Sequence, residues 1–245
     1  MTSRIRAAVR NRVGRVARHV IGTVMYFETD ESIAALTFDD GPHPVYTPRV
    51  LEILEKFEAR ATFFMVGQAA QKHHQLVAQV AQAGHAIANH SWSHPSFIEI
   101  PSVERRAQLR DCHRALAPYG LRLFRPPWGS QNRSSRLDSL LAGFEVIAWS
   151  LEVGDWWDSE PERMADGLAK GVRPGSVVLL HDSLFQPPSP EENPLPRPER
   201  DSMLTALEIF LASAGKGYRF VTLPEMFQCA RPVKQDWYYP PLTQW

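Results

Sequence analysis

The run Thr37-Phe38-Asp39-Asp40-Gly41-Pro42 sets two carboxylates side by side where a short apolar, β-prone stretch breaks at Gly-Pro. Neighbouring residues in an extended strand point to opposite faces. At a strand end that turns, both acids can reach one cavity. Folding gains nothing from such a pair, because like charges repel and a buried carboxylate is costly unless it is paired. A metal ion removes the objection. Fifty residues after Asp40 comes His90-Ser-Trp-Ser-His94, with two imidazoles at i and i+4. Acids followed by a histidine pair point to a metal site.

The surrounding pattern alternates between apolar runs and helical periodicity. Strands are expected at Ile33–Phe38, Ala61–Val66, His85–Asn89, Leu123–Phe124, Glu145–Trp149, Ser176–Leu180 and Tyr218–Val221. Helices are expected at Thr47–Phe57, Leu76–Ala83, from Ser102 to about Ala117, and at Ser134–Leu141, Pro161–Lys170 and Met203–Ala214. Regular β-α alternation means parallel strands covered by helices, with right-handed crossovers. In parallel barrels the loops at the strand C-terminal ends share one face, and that face carries catalysis. Asp39 and Asp40, His90 and His94, Arg125-Pro126-Pro127-Trp128-Gly129, Asp155-Trp156 and His181-Asp182 each follow an expected strand. Five segments far apart in sequence are thereby expected to converge.

With these residues in these places the chain resembles the polysaccharide deacetylases, carbohydrate esterase family 4, whose catalytic unit is the NodB-homology domain. Thr37–Gly41, the His90-Ser91-x-x-His94 pattern, Arg125–Gly129, Asp155-Trp156 and Leu179-x-His181 look like the family's five ordered motifs, and the likeness spans residues 33–224. The resemblance implies an α/β fold, a distorted (β/α)7 TIM-like barrel forming a single domain. It implies a divalent metal, zinc first, with Co2+, Ni2+ or Mn2+ as alternatives. The activity implied is hydrolysis of N-acetyl or O-acetyl groups on sugar chains.

The resemblance also assigns roles. Asp40, His90 and His94 offer one oxygen and two nitrogens to the metal, and three protein ligands leave a position open, as in catalytic zinc sites. Asp39 matches the family's base, taking a proton from the attacking water. Arg125 matches the arginine that holds this base ionised and oriented. His181 matches the acid that protonates the departing amine, and either Asp155 or Glu152 supports it. Trp128, where the family often has Tyr, supplies a backbone N–H to the oxyanion. Leu179 lines the acetyl pocket, and Trp128 and Trp156 form walls. Taken one at a time, these residues have ordinary readings as well: solvated acids in a turn, core histidines, a surface arginine. Their order and spacing together carry the argument.

The rest of the chain narrows the class. Of 245 residues, 44% are hydrophobic, enough for one sizeable core. Lys plus Arg and Asp plus Glu both number 27, so no net charge draws the chain to nucleic acid. Cys112 and Cys229 read as two unrelated thiols. Before the first acid, Glu28, come Arg4, Arg6, Arg10, Arg12, Arg15 and Arg18, interleaved with Ile5, Val9, Val13, Val16 and Val20. This spacing predicts a basic amphipathic helix, suited to weak contact with an anionic membrane surface. The run is too broken by arginine for a secretory h-region. The expected location is therefore cytoplasmic, peripheral to the inner membrane. The expected divisions are a basic extension (1–30), the catalytic domain (31–228) and an aromatic tail (229–245). The residues from Phe185 to Arg200, with six prolines, read as a loop over the active face. The expected partner is an acetylated oligo- or polysaccharide, with no obligate protein partner. Two other readings stand beside this one: a deacylase of a non-sugar amide or ester, or of a lipid-linked sugar, and a non-catalytic carbohydrate-binding protein.

Overall fold

Residues 33 to 39 read Ile-Ala-Ala-Leu-Thr-Phe-Asp, and all of them are buried. A strand covered on both faces belongs inside a parallel sheet, between helices on one side and a barrel interior on the other. The computed structural model of the chain, which describes residues 22–185 and 199–236, has this arrangement. The Arg-rich helix expected before residue 22, the proline run of 186–198 and the aromatics Trp237, Tyr238, Tyr239 and Trp245 lie outside the described residues.

In chain order the strands are β1 (Thr23–Glu28), β2 (Ile33–Asp39), β3 (Ala61–Met65), β4 (Ala86–Asn89), β5 (Gly120–Phe124), β6 (Glu145–Val146), β7 (Leu151–Glu152), β8 (Val177–His181), β9 (Arg219–Phe220) and β10 (Arg231–Gln235). The helices are α1 (Tyr46–Lys56), α2 (Gly67–Lys72), α3 (His74–Gln82), α4 (Ser102–Ala115), α5 (Arg133–Leu141), α6 (Pro161–Gly171), α7 (Asp201–Ala212) and α8 (Leu223–Cys229). Seven strands run β6-β5-β4-β3-β2-β8-β7, all in parallel, and β9 pairs with the first residues of β2. The expected distorted (β/α)7 barrel is the observed fold.

The distortion has a visible cause. The strand expected over Glu145–Trp149 ends already at Val146, and a further short strand, β7, follows just beyond Trp149. β6 pairs with β5 at one edge of the sheet, and β7 pairs with β8 at the other. Residues 147–150 cross between the two edges, so the sheet curls almost shut. Val24 bridges Ile147 inside this gap, and the N–H of Ala148 donates to the carbonyl of Val24 at 2.8 Å.

Side-chain alternation sorts two cores. Ile33, Ala35, Phe64, Ala88, Leu123 and Val177 fill the barrel. Leu36, Phe38, Phe63, Met65, Val178 and Leu180 face the helices, where they meet Leu54, Leu168 and Leu207. Continuing the inward alternation puts Thr37 and Asp39 of β2, and Leu179 and His181 of β8, at the C-terminal end of the interior.

Two further features differ from the sequence expectation. Thr23–Glu28 and Arg231–Gln235, expected within the extension and the tail, pair as an antiparallel ribbon. Val24 and Phe27 of that ribbon join the barrel-filling cluster, so the packed unit reaches past residues 31 and 228 at both ends. The helix expected at Leu76–Ala83 is present as α3, and a further helix, α2, precedes it and meets it at His73. The two cysteines are unpaired, as the sequence suggested: Cys112 is buried and Cys229 exposed.

Candidate active site

β2 ends at Asp39, and the next residue turns sharply: Asp40 has φ 74°. Ser91, His94 and Trp128 also have left-handed backbones, at 70°, 61° and 61°. Apart from Glu58, these are the positive-φ non-glycine residues among those described. Such conformations cost free energy, and they cluster where surrounding structure fixes a functional geometry. Gly41 follows because nothing larger fits: an added Cβ would sit 2.4 Å from the Asp182 carboxylate.

The turn lets both acids reach the histidines. Asp40 Oδ1 lies 3.4 Å from His90 Nε2 and 3.0 Å from His94 Nε2. Asp39 Oδ2 lies 3.7 Å from the same His90 nitrogen. Each of the four residues is under 9% exposed. The His90 ring donates from Nδ1 to the carbonyl of Arg125 at 2.8 Å, since a carbonyl can only accept. In the neutral ring this leaves the Nε2 lone pair aimed at the acids. Ser91 Oγ accepts from the N–H of His94 at 3.0 Å, and Asn89 Oδ1 accepts from the N–H of Ser91 at 2.8 Å. These two bonds set the loop between the histidines.

Charge separates the two acids. The Arg125 side chain is fully buried. Its Nη1 donates to Asp39 Oδ1 at 2.6 Å and to Thr37 Oγ1 at 2.9 Å, and its Nη2 donates to the carbonyl of Ala148 at 2.9 Å. The guanidinium also stacks on Phe64, 4.2 Å from the ring centroid. Asp40 has no such partner: its Oδ2 accepts from the N–H of Phe185 at 3.0 Å, while buried Oδ1 accepts no hydrogen bond. Burial works against ionising Asp40, but His94 and then His90 hold its carboxyl well below the usual carboxylate range. Burial pushes His94 down, only partly offset by Asp40, which favours the neutral, lone-pair form. A buried carboxylate oxygen without a donor, facing two imidazole nitrogens, is a donor set that a divalent cation completes. Asp40, His90 and His94 can all reach one ion.

On the neighbouring strand, His181 at the end of β8 lies level with Asp39 in the β2–β8 register. Its Nδ1 lies 2.9 Å from Asp155 Oδ1, and its backbone N–H donates to Asp155 Oδ2 at 2.8 Å. Asp155, rather than Glu152, bonds the ring. Burial disfavours the charged imidazole, but Asp155, with Asp40 and Asp39 beyond it, outweighs that and raises His181 to about 9. Trp128 packs edge-on to His94 at 4.8 Å, and Trp156 edge-on to His181 at 5.6 Å. Both indoles are partly exposed, and Leu179 is buried two residues before His181. Direct contacts join Asp39, Asp40, His90, His94, Arg125 and Trp128 in one group and Asp155, His181 and Trp156 in another, with Leu179 on the same strand as His181.

Four further residues here stand in runs the sequence pointed to, but without a role of their own. Thr37 bridges Arg125 and the carbonyl of Val178. Its period-two spacing from Asp39 was an available signal. Asp182, bonded by the Thr47 hydroxyl, is buried under the Gly41 turn, and burial raises its carboxyl to about 7. Arg200 is buried against Asp155. Phe185 reaches Asp40 through its backbone, and its ring lies 6.1 Å from His94.

Comparison with known proteins identifies the family. The family model for polysaccharide deacetylase matches residues 27–147. A peptidoglycan-N-acetylglucosamine deacetylase of Bacillus cereus is 33% identical over 204 residues, covering 81% of this chain and 90% of the relative. A chitooligosaccharide deacetylase of a Bradyrhizobium species is 32% identical over 196 residues, covering 78% and 89% respectively. The crystal structure of the Bc1960 peptidoglycan N-acetylglucosamine deacetylase, in complex with 4-naphthalen-1-yl-N-oxidanyl-benzamide, superposes with a TM-score of 0.75 at 29% identity, covering 86% of this chain and 94% of that one. With likeness of this extent in both sequence and fold, the chain belongs to the polysaccharide deacetylase family.

Proposed function

We propose that this protein is a metal-dependent deacetylase of N-acetylated sugar chains, of the peptidoglycan or chitooligosaccharide kind on which its named relatives act. The observation that carries the reading is the pairing of an Asp40 oxygen that accepts no hydrogen bond with two imidazole nitrogens, beside a second acid held by arginine.

Asp40, His90 and His94 hold the cation in this reading, and zinc suits two nitrogens and one oxygen with a position left open. When bound, the ion supplies a Lewis acid for the acetyl carbonyl and makes the attacking water more acidic. Asp39 takes the water's proton. Arg125 occupies Oδ1, which leaves Oδ2 directed at the histidine side of the cavity. The acetyl C–N bond breaks to give acetate and a free amine, and His181 protonates the leaving nitrogen. With Nδ1 committed to Asp155, the transferable proton sits on Nε2. A ring raised to about 9 carries that proton at neutral pH. The backbone N–H of Trp128 is assigned to the oxyanion, Leu179 to the acetyl pocket, and the Trp128 and Trp156 indoles to the sugar walls.

Acetate release over a panel of N-acetylated and O-acetylated oligosaccharides and non-sugar amides, with and without a chelator, tests the reading. Chelator-sensitive release from N-acetylated sugars is expected. Release confined to non-sugar substrates transfers the site to the deacylase reading. Sugar binding with no release from any substrate leaves only the non-catalytic one.

A further inference from the structure

Arg200 is among the largest fully buried side chains in the described residues, at 2% exposure. Taking a guanidinium out of water is costly and is offset only by well-placed partners. Its Nη1 donates to Asp155 Oδ2 at 3.2 Å. That carboxylate is the one whose Oδ1 meets His181 Nδ1 and whose Oδ2 accepts the His181 backbone N–H. Arg200 immediately precedes α7, and its carbonyl accepts from the N–H of Leu204 at 2.9 Å. Met203, Leu204, Leu207 and Phe210 bury α7 in the outer core. The Arg200 side chain thus leaves the backbone at the start of a helix packed into the outer core.

We propose that Arg200 is a positioning residue for the reaction: it clamps the Asp155 carboxylate, and through it fixes the His181 ring at the angle needed to deliver a proton to the leaving amine. The inference rests on the role proposed above for His181. It adds to that role a third member, contributed from outside the sequence motifs. Without Arg200, the Asp155 carboxylate is held only through His181 itself, by its ring and its backbone N–H. Arg200 touches neither water nor sugar in this account, and it holds no proton that the reaction moves.

An arginine that only stabilises the fold weakens every reaction of the site equally. One that acts through the proton donor weakens the reactions that need it. An amide nitrogen must be protonated as the C–N bond breaks, whereas 4-nitrophenolate leaves without a proton. The test compares wild type, Arg200→Met and Arg200→Lys, each supplied with Zn2+, on an N-acetylglucosamine oligomer and on 4-nitrophenyl acetate. Arg200→Met is expected to lower kcat on the amide by about 10- to 100-fold, the usual range for partners of ligating or reacting groups. KM should change by less than about threefold, and the aryl ester should lose roughly tenfold less than the amide. Arg200→Lys should recover part of the amide rate. In a His181→Ala background Arg200→Met should cost less than about twofold on the amide, because residues acting as a unit are not additive.

Equal losses on amide and ester, or the same loss with and without His181, would overturn the proposal. Should Arg200→Met fail to fold, Arg200→Lys decides by the amide-to-ester ratio, and an unchanged ratio counts against the clamp. A second readout needs no turnover: the His181 Nδ1–H resonance of the metal-free protein should exchange with solvent faster in either variant. An unchanged exchange rate contradicts the clamp. A wild type that hydrolyses neither substrate defeats the proposed function instead, and the exchange measurement still decides Arg200.

Discussion

Arg125 donates to Oδ1 of Asp39 at 2.6 Å, and neither side chain meets bulk solvent. This contact makes two adjacent acids unequal. Asp39 is neutralised by a cation of the protein itself, while Asp40 is left to the imidazoles of His90 and His94. In the proposed function Asp39 is accordingly the acid that works on a proton, and Asp40 the one that holds the metal.

The first prediction separates these two tasks. Asp39→Asn should retain zinc binding and lose about 10²- to 10⁴-fold in turnover, as removal of a general base does. His90→Ala should lose both. Zinc binding reads out as thermal stabilisation, worth about 2.7 kcal/mol at a hundredfold excess over Kd. An Asp39→Asn protein that zinc no longer stabilises would contradict the division of labour.

The second concerns stability. Arg125→Met leaves the Asp39 carboxylate buried without its cation, the situation that typically costs about 3–5 kcal/mol. Urea unfolding should show a midpoint lowered accordingly at pH 7. A loss below about 1 kcal/mol would mean that Asp39 finds another partner or takes up a proton.

A third follows from His181. Folded, the ring keeps its proton up to about 9; unfolded, it releases it near the ordinary 6.5. The ring's contribution to stability is therefore fully present below about pH 6.5 and is lost as pH rises through about 9, and it is worth up to about 3 kcal/mol. In the metal-free protein, the stability gap between wild type and His181→Gln should shrink from pH 6 to pH 9.5. A gap that is constant or widens over this range would show that His181 is not charged at neutral pH. The same assignment places the proton donor on the alkaline limb of the rate profile, a limb that His181→Ala should abolish.

A fourth concerns residues 1–21. Deleting them leaves β1 intact and removes Arg4 through Arg18. Sedimentation with anionic vesicles should fall, and salt should weaken the binding of the full chain, as for any basic surface helix. Equal sedimentation of the two proteins removes the membrane contact.

Most of the site was legible because its residue types announce themselves locally. Paired acids at a strand end and a His-x-x-x-His spacing are costly to place anywhere else, and the strand-helix rhythm fixes which end of the barrel they share. Arg200 was not legible. It follows a proline-rich run, and its partner Asp155 is 45 residues away. Nothing in its own neighbourhood distinguishes it from Arg197, which stands three positions earlier. The early end of the strand expected over Glu145–Trp149, and β7 after it, were hidden for a related reason. An apolar run reads as one strand whichever edge it pairs with, and only closure of the barrel decides that Val146 and Leu151 lie at opposite edges. Thr23–Glu28 is β-prone, but its partner Arg231–Gln235 carries Pro232 and charges, a pattern suited to an edge ribbon and silent in a search for core strands.

The most direct measurement is an anomalous difference map at the zinc edge from crystals grown with Zn2+. The account predicts one strong peak within about 2.0–2.2 Å of an Asp40 oxygen and of Nε2 in both His90 and His94. Asp39 should stay on Arg125, outside coordinating distance. A peak that takes Asp39 as a ligand, or no peak among these residues, would contradict it.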